Sequence, residues 1–472
     1  MSGILLFFMS VLTVVCFCGC QADRVTPAPG APEFSIEKYA AKHWQRIARP
    51  VPVFRKTLWN KTLEESEKLF THYRTAVKKF APYFEDDCKM ADKALNWPQG
   101  TYFKRTYWPL DHDAMKKGKG HECTSWAVLP DLAADNQLFL HKSRDTGIRK
   151  TVLVHRSESK GRYGYLGFHD IGWLDITMGM NSVGLAVTVN SGDLSDGRSD
   201  CGMDTTTLGR IILENCKNAD EAVAMLKNMV ENKAYMHGKH GSIWLLADKD
   251  CVYVAEHDAE RFSAQKYVSG AVIRANTWSL PDMIRFSRNG AKSVMNSRQR
   301  EYAVKKALFD SGKQYNRAVT AEVIAKAARV DFLPNLPGSA VPCGKRTVSA
   351  ATFSIDREFP ADLSTMYAAP GNPAYTFFIP VPLTINEVPD TLLNQTFSAA
   401  VYKRWAAGKK IISDEKRAEI EKKMNQNHRS AREKARKLLR KSFSEANRLE
   451  ARRIMNEAFA ENWRILAPYV EK

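Results

Sequence analysis

From Cys123 to Ala275 the sequence is a succession of short runs that are either apolar throughout or alternate between apolar and polar residues. Gly, Asp and Asn separate these runs, as they do where hairpins join β-strands. Two segments with helical periodicity interrupt the series, Thr205–Asn215 and Ala219–Glu231, and Asn218 stands where an N-cap is expected. The predicted strands are Cys123–Leu129, Leu138–Lys142, Thr151–His155, Tyr163–Phe168, Gly184–Asn190, Ser242–Ala247, Cys251–Glu256 and Ala271–Ala275.

The same pattern continues towards the C-terminus. Helices are predicted at Ser297–Ser311 and Thr320–Arg329, and strands at Thr347–Ile355 and Tyr375–Pro380. Many short strands interrupted by a few helices are typical of an α+β domain, in which antiparallel sheet is covered by helices on its outer faces. We therefore predict the α+β class for this part of the chain.

Both flanks of this region have helical character. Thr62–Phe80 carries apolar residues at a spacing close to 3.6. Ser413–Ala460 contains no Gly or Pro and is dense in charged residues and Ala, which predicts one or two long amphipathic helices. Asp23–Pro32 is rich in Pro, Gly and Ala, as tethers are. The predicted organisation is a signal at 1–20, a tether and mostly helical segment at 21–122, a central domain at 123–385 and a basic helical extension at 386–472.

The first twenty residues have the features of an export signal. Ile4–Phe17 is an apolar run that is too short to span a membrane comfortably. Gly19 precedes Cys20 as in the lipobox of bacterial lipoproteins, although no Lys or Arg precedes the run and Phe17 stands where Leu is usual. A cleaved signal and an uncleaved anchor are the alternatives. Export to the bacterial cell envelope is the expected localisation.

The net charge of +18 is concentrated near the C-terminus. Between Val401 and Lys472 there are 20 Lys and Arg against 10 Asp and Glu. Such a surface could contact anionic lipid or another polyanion, and the alternative is a solvated helical face. Nucleic acid is not an expected partner, because export removes the usual targets. The cysteines form no CxxC pair and no spacing typical of zinc ligands.

One series of motifs carries a resemblance to a known family. Cys123-Thr-Ser-Trp-Ala-Val resembles the start of the mature chain in the N-terminal-nucleophile (Ntn) cysteine hydrolases of the penicillin acyltransferase (peptidase C45) group. Choloylglycine hydrolases and penicillin V acylase are more distant relatives of that group. The further motifs, in the family's order, are Leu140–Asp145, Gly179–Asn190, Gly241–Asp248 with Val254–Glu256, Arg274–Asn276, Ser297–Arg298, and Ala350–Ser354 with Met366–Pro373. The resemblance covers about residues 120–385.

The resemblance implies a four-layer αββα sandwich and a thiol nucleophile at Cys123. A thiol attacks an amide as the thiolate, and in Ntn enzymes the α-amino group of the same residue takes the proton. Cleavage between Glu122 and Cys123 is therefore implied, and residues 21–122 become a pro-segment that shields the site or stays associated. The relatives usually have Gly where this chain has Glu122, and His121 could assist the proton transfer. No metal or organic cofactor is required.

The resemblance also assigns roles to polar residues of the later motifs. Asp145 would orient the α-amino group of Cys123, and Asn190 and Asn276 would hold the oxyanion of the tetrahedral intermediate. Considered alone, Cys123 could be a small buried hydrophobic residue. Asp145, Asn190 and Asn276 could equally be turn or strand-end residues.

A basic residue near the sulfur is implied as well. Arg298 matches a site arginine that tunes the thiolate or stabilises developing charge, although a surface position on a helix is the alternative. Arg144 could serve instead, and the alignment of Lys142 and Arg144 onto the family's basic residue is ambiguous by two positions.

The function implied is hydrolysis of a linear amide, or acyl transfer onto an amine, through a thioester on Cys123. The expected substrate is an N-acyl amino acid, a peptide or an acyl-amine. Hydrolysis is favoured for an exported protein, because water is plentiful there and acyl-coenzyme A is absent. The alternative is a surface-anchored binding lipoprotein on an Ntn fold without catalysis, which Glu122 and the basic C-terminal helices favour. The oligomeric state cannot be read from the sequence.

Overall fold

The computed structural model describes nine stretches of the chain, and the predictions made for residues 1–62, including the signal, and for His121 and Glu122 lie outside them. Among the described residues no helix combines the length and the apolar character needed to cross a membrane. The described residues are 63–106, 123–146, 151–159, 161–199, 202–235, 238–309, 318–332, 340–410 and 412–470.

Two antiparallel sheets form the centre of this structure. The strands are β1 (Thr124–Val128), β2 (Leu138–Asp145), β3 (Thr151–Arg156), β4 (Tyr165–Asp170), β5 (Met178–Asn181), β6 (Ala186–Ser199), β7 (Gly238–Ala247), β8 (Val252–His257), β9 (Phe262–Tyr267), β10 (Ala271–Arg274), β11 (Thr347–Ile355), β12 (Thr365–Pro370) and β13 (Ile379–Pro382). Within the described ranges, sheet I has the order β10-β1-β2-β11-β12-β13 and sheet II the order β3-β4-β5-β6-β7-β8-β9.

Helices lie between and after these strands. In chain order they are α1 (Leu63–Phe80), α2 (Phe84–Leu95), α3 (Thr101–Thr106), α4 (Thr205–Asn215), α5 (Ala219–Glu231), α6 (Pro281–Ile284), α7 (Ala291–Phe309), α8 (Ala321–Ala328), α9 (Pro360–Leu363), α10 (Asp390–Leu393), α11 (Thr396–Ala406), α12 (Asp414–Lys441) and α13 (Glu445–Val470). Short 3₁₀ turns occur at Ala134–Asn136 and Pro373–Tyr375.

The core between the two sheets follows from alternation along the strands. Successive side chains of a strand point to opposite faces. In β2, Leu138 and Leu140 therefore share one face and pack against residues of sheet II such as Phe168, Met178 and Leu245. These side chains are almost fully buried, so the inner faces of the sheets form one continuous apolar layer.

The outer faces of the sheets are covered by helices. Trp126 and Val128, on the outer face of sheet I, pack against Val304 of α7 and Ile324 of α8. The outer face of sheet II packs against α4 and α5 and against the N-terminal helices, of which Phe84 is a buried member. The result is a four-layer αββα sandwich, which confirms the α+β architecture predicted from the sequence.

The helical predictions are accurate where a cap and a period coincide. α4 and α5 have their predicted bounds, and Asn218 caps α5 by accepting a hydrogen bond from the backbone N–H of Glu221. β9 was not predicted, because its sequence Phe-Ser-Ala-Gln-Lys-Tyr has no apolar alternation and its residues are largely exposed. The predicted strand Tyr375–Pro380 is wrong in its start, since the 3₁₀ turn ends at Tyr375 and β13 begins at Ile379.

The C-terminal helices pack against the sandwich itself. α12 and α13 form an antiparallel hairpin, and Met424 and Leu466 from its inner face join the core that contains Ile379 and Val381 of β13. The extension therefore shares the core between the sheets and has no separate one of its own among the described residues.

A buried group of charges links the N-terminal helices to sheet II. Asp87 of α2 pairs with Arg156, Arg162 and Arg210, and Glu214 pairs with Arg156 and Arg210. We call these five residues the Asp87 cluster. Burial by itself would raise the pKa of Asp87, but the three guanidinium groups hold it well below its usual value. The segment before Cys123 is thus connected to the sandwich by charge as well as by apolar packing.

Candidate active site

The candidate nucleophile lies at one end of the gap between the sheets. Cys123 immediately precedes β1 and is buried. Ser125 of β1 lies opposite Lys142 of β2 in the register of sheet I. Because side chains two residues apart share a face, Lys142 and Arg144 both point to the side of β2 that carries Leu138 and Leu140, which faces sheet II.

Lys142 contacts the sulfur of Cys123. Its ammonium group donates to the carbonyl oxygen of Val189 and, at 3.2 Å, to Oδ1 of Asn190, and it forms a hydrogen bond with the Cys123 side chain. Burial lowers the pKa of Lys142, and the adjacent sulfur opposes that effect. Two hydrogen bonds to oxygen acceptors thus hold the ammonium group beside the candidate nucleophile.

Arg144 is directed elsewhere. Its guanidinium group forms two parallel hydrogen bonds of 2.7 Å to the carboxylate of Asp170, at the end of β4. Burial alone would lower the pKa of Arg144, but Asp170 raises it, and Cys123 makes a smaller contribution in the same direction. The structure therefore resolves the ambiguity between the two basic residues: Lys142 contacts the sulfur, while Asp170 balances the charge of Arg144.

Asn276 holds the backbone nitrogen of Cys123. Its Oδ1 accepts from that nitrogen at 2.8 Å and from Nη2 of Arg300 at 2.9 Å, while its Nδ2 donates to the carbonyl oxygen of Ser191 at 2.7 Å. The resemblance seen in the sequence assigned the orientation of this nitrogen to Asp145. Asp145 lies buried at the end of β2, close enough to raise the pKa of Lys142. The acceptor of the Cys123 N–H in this uncleaved chain is Asn276, and a role for Asp145 stays a prediction.

Asn190 joins several strands beside the sulfur. Its Oδ1 accepts from Ser125 Oγ at 2.9 Å and from Lys142, and its Nδ2 donates to the carbonyl oxygens of Arg274 and Ala275 at 3.1 and 3.0 Å. An amide side chain has two N–H groups. Both are used here, so Asn190 would have to give up a backbone acceptor before holding an oxyanion.

Arg300 occupies the place that the sequence assigned to Arg298. Its Nη1 donates to the carbonyl oxygen of Cys123 and, at 3.1 Å, to Oγ1 of Thr124. Arg300 is 2% exposed, whereas the side chain of Arg298 is 46% exposed and pairs with Glu301 at 2.7 Å. Residues two apart on a helix point about 200° away from each other. Because α7 turns Arg298 away from Cys123, Arg300 is the arginine that contacts that residue, and a catalytic role for Arg298 stays a prediction.

A signal for Arg300 was present in the sequence. Ser297, Arg300 and Val304 are spaced by three and four residues, and they form the buried face of α7 with Ala303 and Leu308. The family motif matches Ser297 and Arg298, whereas the helical period that starts from Ser297 leads to Arg300. Asp170 and Ser125 carried no comparable signal.

The segment around Asn276 is held in place from three sides. Glu301 Oε1 accepts from the backbone N–H of Ala275 at 3.0 Å, and Oγ of Ser297 accepts from that of Asn276 at 3.3 Å. Trp278 fills a slot beside Gly241, where an added Cβ would lie 2.2 Å from Cζ2 of the indole ring. Asn276 is thus positioned by packing and by α7 before any substrate binds.

Glu256 holds the next turn of the same segment. Its carboxylate accepts from the backbone N–H groups of Ser279 and Leu280 at 2.9 Å, and Nε of Arg274 lies 3.8 Å away. Burial raises the pKa of Glu256 to about 7, although both backbone donors lower it. Within the described ranges, no group of three or more His, Cys, Asp or Glu side chains is arranged to hold a metal ion.

Comparisons with known proteins give a family match to part of this region. Residues 135–315 match the sequence family described as acyl-coenzyme A:6-aminopenicillanic acid acyl-transferase. This match confirms the resemblance to the penicillin acyltransferase group over β2 to α7. It supports an enzyme, a hydrolase or acyltransferase. A search of the curated proteins found no significantly similar sequence.

Several solved structures are similar to this chain. Penicillin V acylase from Agrobacterium tumefaciens is 18% identical, with 55% of this chain and 86% of that chain covered and a TM-score of 0.34. The N-acylethanolamine-hydrolyzing acid amidase ortholog of Caenorhabditis elegans is 13% identical, with 51% and 93% covered and a TM-score of 0.31. A mutant of conjugated bile acid hydrolase from Clostridium perfringens is 11% identical, with 52% and 89% covered and a TM-score of 0.35.

Proposed function

We propose that this protein is an Ntn-type cysteine amidohydrolase that acts on linear amides through a thioester on Cys123. The observation that carries the proposal is the double contact at Cys123: Lys142 bonds its sulfur, and Asn276 Oδ1 accepts from its backbone nitrogen. A buried thiol with an ammonium partner and an oriented nitrogen is equipped for nucleophilic attack.

The first reaction is cleavage of the chain itself. The Cys123 sulfur attacks the carbonyl carbon of Glu122, the bond from that carbon to the Cys123 nitrogen breaks, and the thiol proton passes to the departing nitrogen. Water then opens the thioester and releases the Glu122 carboxylate. The nitrogen becomes an α-amine with a pKa near 8, so that it is available as a base close to neutral pH.

Turnover uses the same groups. Asn276 Oδ1 keeps one N–H of the new amine, which directs the lone pair of the nitrogen towards the sulfur. The amine takes the thiol proton, and Lys142 stabilises the resulting thiolate. The protonated amine later donates to the leaving amine of the substrate, and water hydrolyses the acyl thioester.

The oxyanion of each tetrahedral intermediate requires N–H donors. The Nδ2 groups of Asn276 and Asn190 are the side-chain candidates, and Asn276 is favoured because Asn190 donates both of its hydrogens to carbonyl oxygens. One such donor contributes roughly 3–4 kcal/mol to transition-state stabilisation in other enzymes. Arg300 helps to position Asn276, because its guanidinium group donates a hydrogen bond to Oδ1 of Asn276.

Hydrolysis is the proposed outcome, with acyl transfer as the alternative. If the chain is exported, as its first twenty residues indicate, water is the abundant acceptor. The proposed substrates are N-acyl amino acids, peptides or acyl-amines. If Cys20 is lipidated and the chain is cleaved, the lipid belongs to the N-terminal fragment, and the Asp87 cluster keeps that fragment on the sandwich.

Mass spectrometry of the purified protein tests the proposal. A fragment that begins at Cys123 is expected from the wild type and not from Cys123→Ala, and an electrophilic acyl probe should label Cys123. The variant Cys251→Ala, which removes another buried thiol far from Lys142, should cleave and hydrolyse a panel of amides normally. An intact wild-type chain that neither reacts with the probe nor hydrolyses any amide would instead support the non-catalytic binding lipoprotein.

A further inference from the structure

The arginines and the lysines of helix α12 differ in their surroundings. Its arginines turn towards carboxylates, most of them on the sandwich, and form ion pairs there. The pairs are Arg417 with Asp414, Arg429 with Glu322, Arg432 with Asp135, Arg436 with Asp356, and Arg440 with Glu358. A planar guanidinium suits fixed, bidentate contacts of this kind.

Five of the six lysines of the same helix face solvent without an ion pair in the described part of the chain, whereas Lys416 pairs with Glu419. Lys422, Lys423, Lys434, Lys437 and Lys441 are exposed, and none of them is ion-paired with any carboxylate in the described ranges. We call these five residues the lysine face. From Lys423 to Lys441 the row is about 27 Å long at 1.5 Å per residue. α13 contrasts with α12, because its exposed arginines Arg453 and Arg464 pair with glutamates of their own helix.

The lysine face ends at an apolar tip. Phe443, in the turn between α12 and α13, is 60% exposed, and Leu449 of α13 is 41% exposed. Phe443 stacks on Phe359 at 5.6 Å, and the guanidinium of Arg448 lies 5.2 Å from its ring, so the ring is held outwards at a fixed place. Phe443 and Leu449, which we call the apolar tip, follow directly on Lys437 and Lys441.

We propose that the lysine face and the apolar tip dock on the surface of an anionic lipid bilayer. Basic residues beside exposed aromatic and aliphatic side chains are the combination that binds the headgroup region of membranes, where the charge meets anionic lipid and the apolar groups enter the acyl boundary. The phosphates of a nucleic acid would bind the lysines alone, and this binding would not require the exposed apolar side chains of the tip.

The apolar tip lies at the end of sheet I that is distant from the candidate active site. β11 begins at Thr347, opposite Asp145, and ends at Ile355, opposite Leu138. The last turn of α12 is fixed just beyond that second end, through Asp356 and Glu358. The apolar tip and Cys123 therefore lie near opposite ends of sheet I, so bound enzyme would keep its access to water-soluble substrates.

Vesicle co-sedimentation of the full chain carrying Cys20→Ala tests this proposal without a contribution from a lipid on that residue. The vesicles contain phosphatidylcholine, alone or with 30% phosphatidylglycerol. Binding should require phosphatidylglycerol and weaken as salt is raised from 0.05 to 0.15 M. Each lysine near such a surface strengthens binding about five-fold. The triple variant Lys434→Gln, Lys437→Gln, Lys441→Gln should therefore bind roughly 100-fold more weakly.

Two further variants keep the test decisive. Lys292→Gln, Lys305→Gln, Lys306→Gln removes three exposed lysines of α7 and should bind as the parent does. Phe443→Ser with Leu449→Ser should weaken vesicle binding while leaving competition by duplex DNA unchanged. Equal binding to both kinds of vesicle, or equal losses for the two lysine variants, overturns the proposal. Insensitivity to the apolar substitutions, with strong competition by DNA, would also overturn it in favour of a general polyanion surface.

Discussion

Two of the buried groups of charged side chains in the described part of the chain are built differently. In the Asp87 cluster, three guanidinium groups surround two carboxylates, so that opposite charges neutralise each other. In what we call the Cys123 cluster (Cys123, Lys142, Asn190, Asn276 and Arg300), the hydrogen bonds of the two cations end on carbonyl and amide oxygens, a hydroxyl group and the thiol.

This difference distinguishes a buried group of charges that stabilises the fold from one that forms the candidate active site. A buried cation that is surrounded by neutral acceptors is costly, because those acceptors do not replace the lost hydration of the charge in full. Such a cost is typical of a site that awaits an anion. In the Cys123 cluster the proposed anion is the thiolate, and later the oxyanion, although the nearby carboxylate of Asp145 also acts on Lys142. The Asp87 cluster has its anions already and holds two segments together.

The largest expected effect is on stability in the Asp87 cluster. Arg210→Met should lower the free energy of unfolding by about 3–5 kcal/mol, because it leaves buried carboxylates with too few partners. Urea denaturation measures the change, and the remaining folded protein should keep its activity. Arg288→Met, which removes an exposed partner of Asp196, serves as the control and should change stability by no more than about 1 kcal/mol. Equal effects of both variants would contradict a structural role for the cluster.

The corresponding change in the Cys123 cluster should affect chemistry and leave stability largely intact. Lys142→Met should slow alkylation of Cys123 by iodoacetamide at pH 7 by roughly 100-fold, since the thiolate loses its cationic neighbour. The rate is followed by mass spectrometry of the Cys123 peptide. Lys142→Arg keeps the charge and should retain most of the reactivity. If the methionine variant reacts as fast as the wild type, Lys142 does not stabilise the thiolate.

The pH dependence of stability extends the comparison to another buried carboxylate, that of Glu256. Asp87 has three arginine partners and a lowered pKa, whereas the pKa of Glu256 is raised to about 7 by burial. The folded state therefore holds the Glu256 proton more tightly than the unfolded chain, and the contribution of this group to stability falls as pH rises from about 4.5 to 7. The loss should be on the order of 3 kcal/mol, because one pKa unit corresponds to about 1.4 kcal/mol.

Thermal denaturation between pH 5 and pH 8 measures this loss. Glu256→Gln keeps one oxygen, which in the place of Oε2 can accept from both Ser279 and Leu280, but it cannot titrate, so it should flatten the profile over that range. A variant with the same pH dependence as the wild type would show that other groups are responsible.

The smallest expected effect separates two arginines of one helix. Arg300→Met should lower kcat about tenfold, because it removes the charged donor that positions Asn276, and the lower value for such a bond, about 1.5 kcal/mol, corresponds to that factor. Arg298→Met should stay within about twofold, because that side chain is largely exposed. Steady-state kinetics on one amide substrate compares the pair. A larger loss for Arg298→Met would restore the assignment made from the sequence.

Much of the fold was predictable because its signals are local. Alternation of apolar residues marked β1, β2 and β11, and a cap with a helical period marked α4 and α5 at their observed bounds. β9 escaped prediction because an exposed strand needs no apolar face. The start of the predicted last strand was wrong because Pro373 begins a 3₁₀ turn, which depends on its neighbours in space.

The sequence predicted only those residues of the candidate site that a family motif marks at a single position. Cys123, Asn190 and Asn276 were named from the sequence and lie together around the sulfur and its nitrogen. The sequence did not decide whether Lys142 or Arg144 is the basic residue near the sulfur, because both lie on the same face of one strand. The position of Asp170, which pairs with Arg144, distinguishes them. Asp170 is distant in sequence from both, and only the pairing of the sheets brings it near.

The sequence by itself determined the layered architecture and the identity of the candidate nucleophile, because periodicity and short motifs are properties of neighbouring residues. Only the tertiary structure decided which of two arginines on α7 reaches Cys123, which lysine contacts its sulfur, and which basic residues of α12 face outwards. Those choices depend on how a helix or strand is rotated against its neighbours. That rotation is set by the packing of the whole core, to which residues far apart in the chain contribute together.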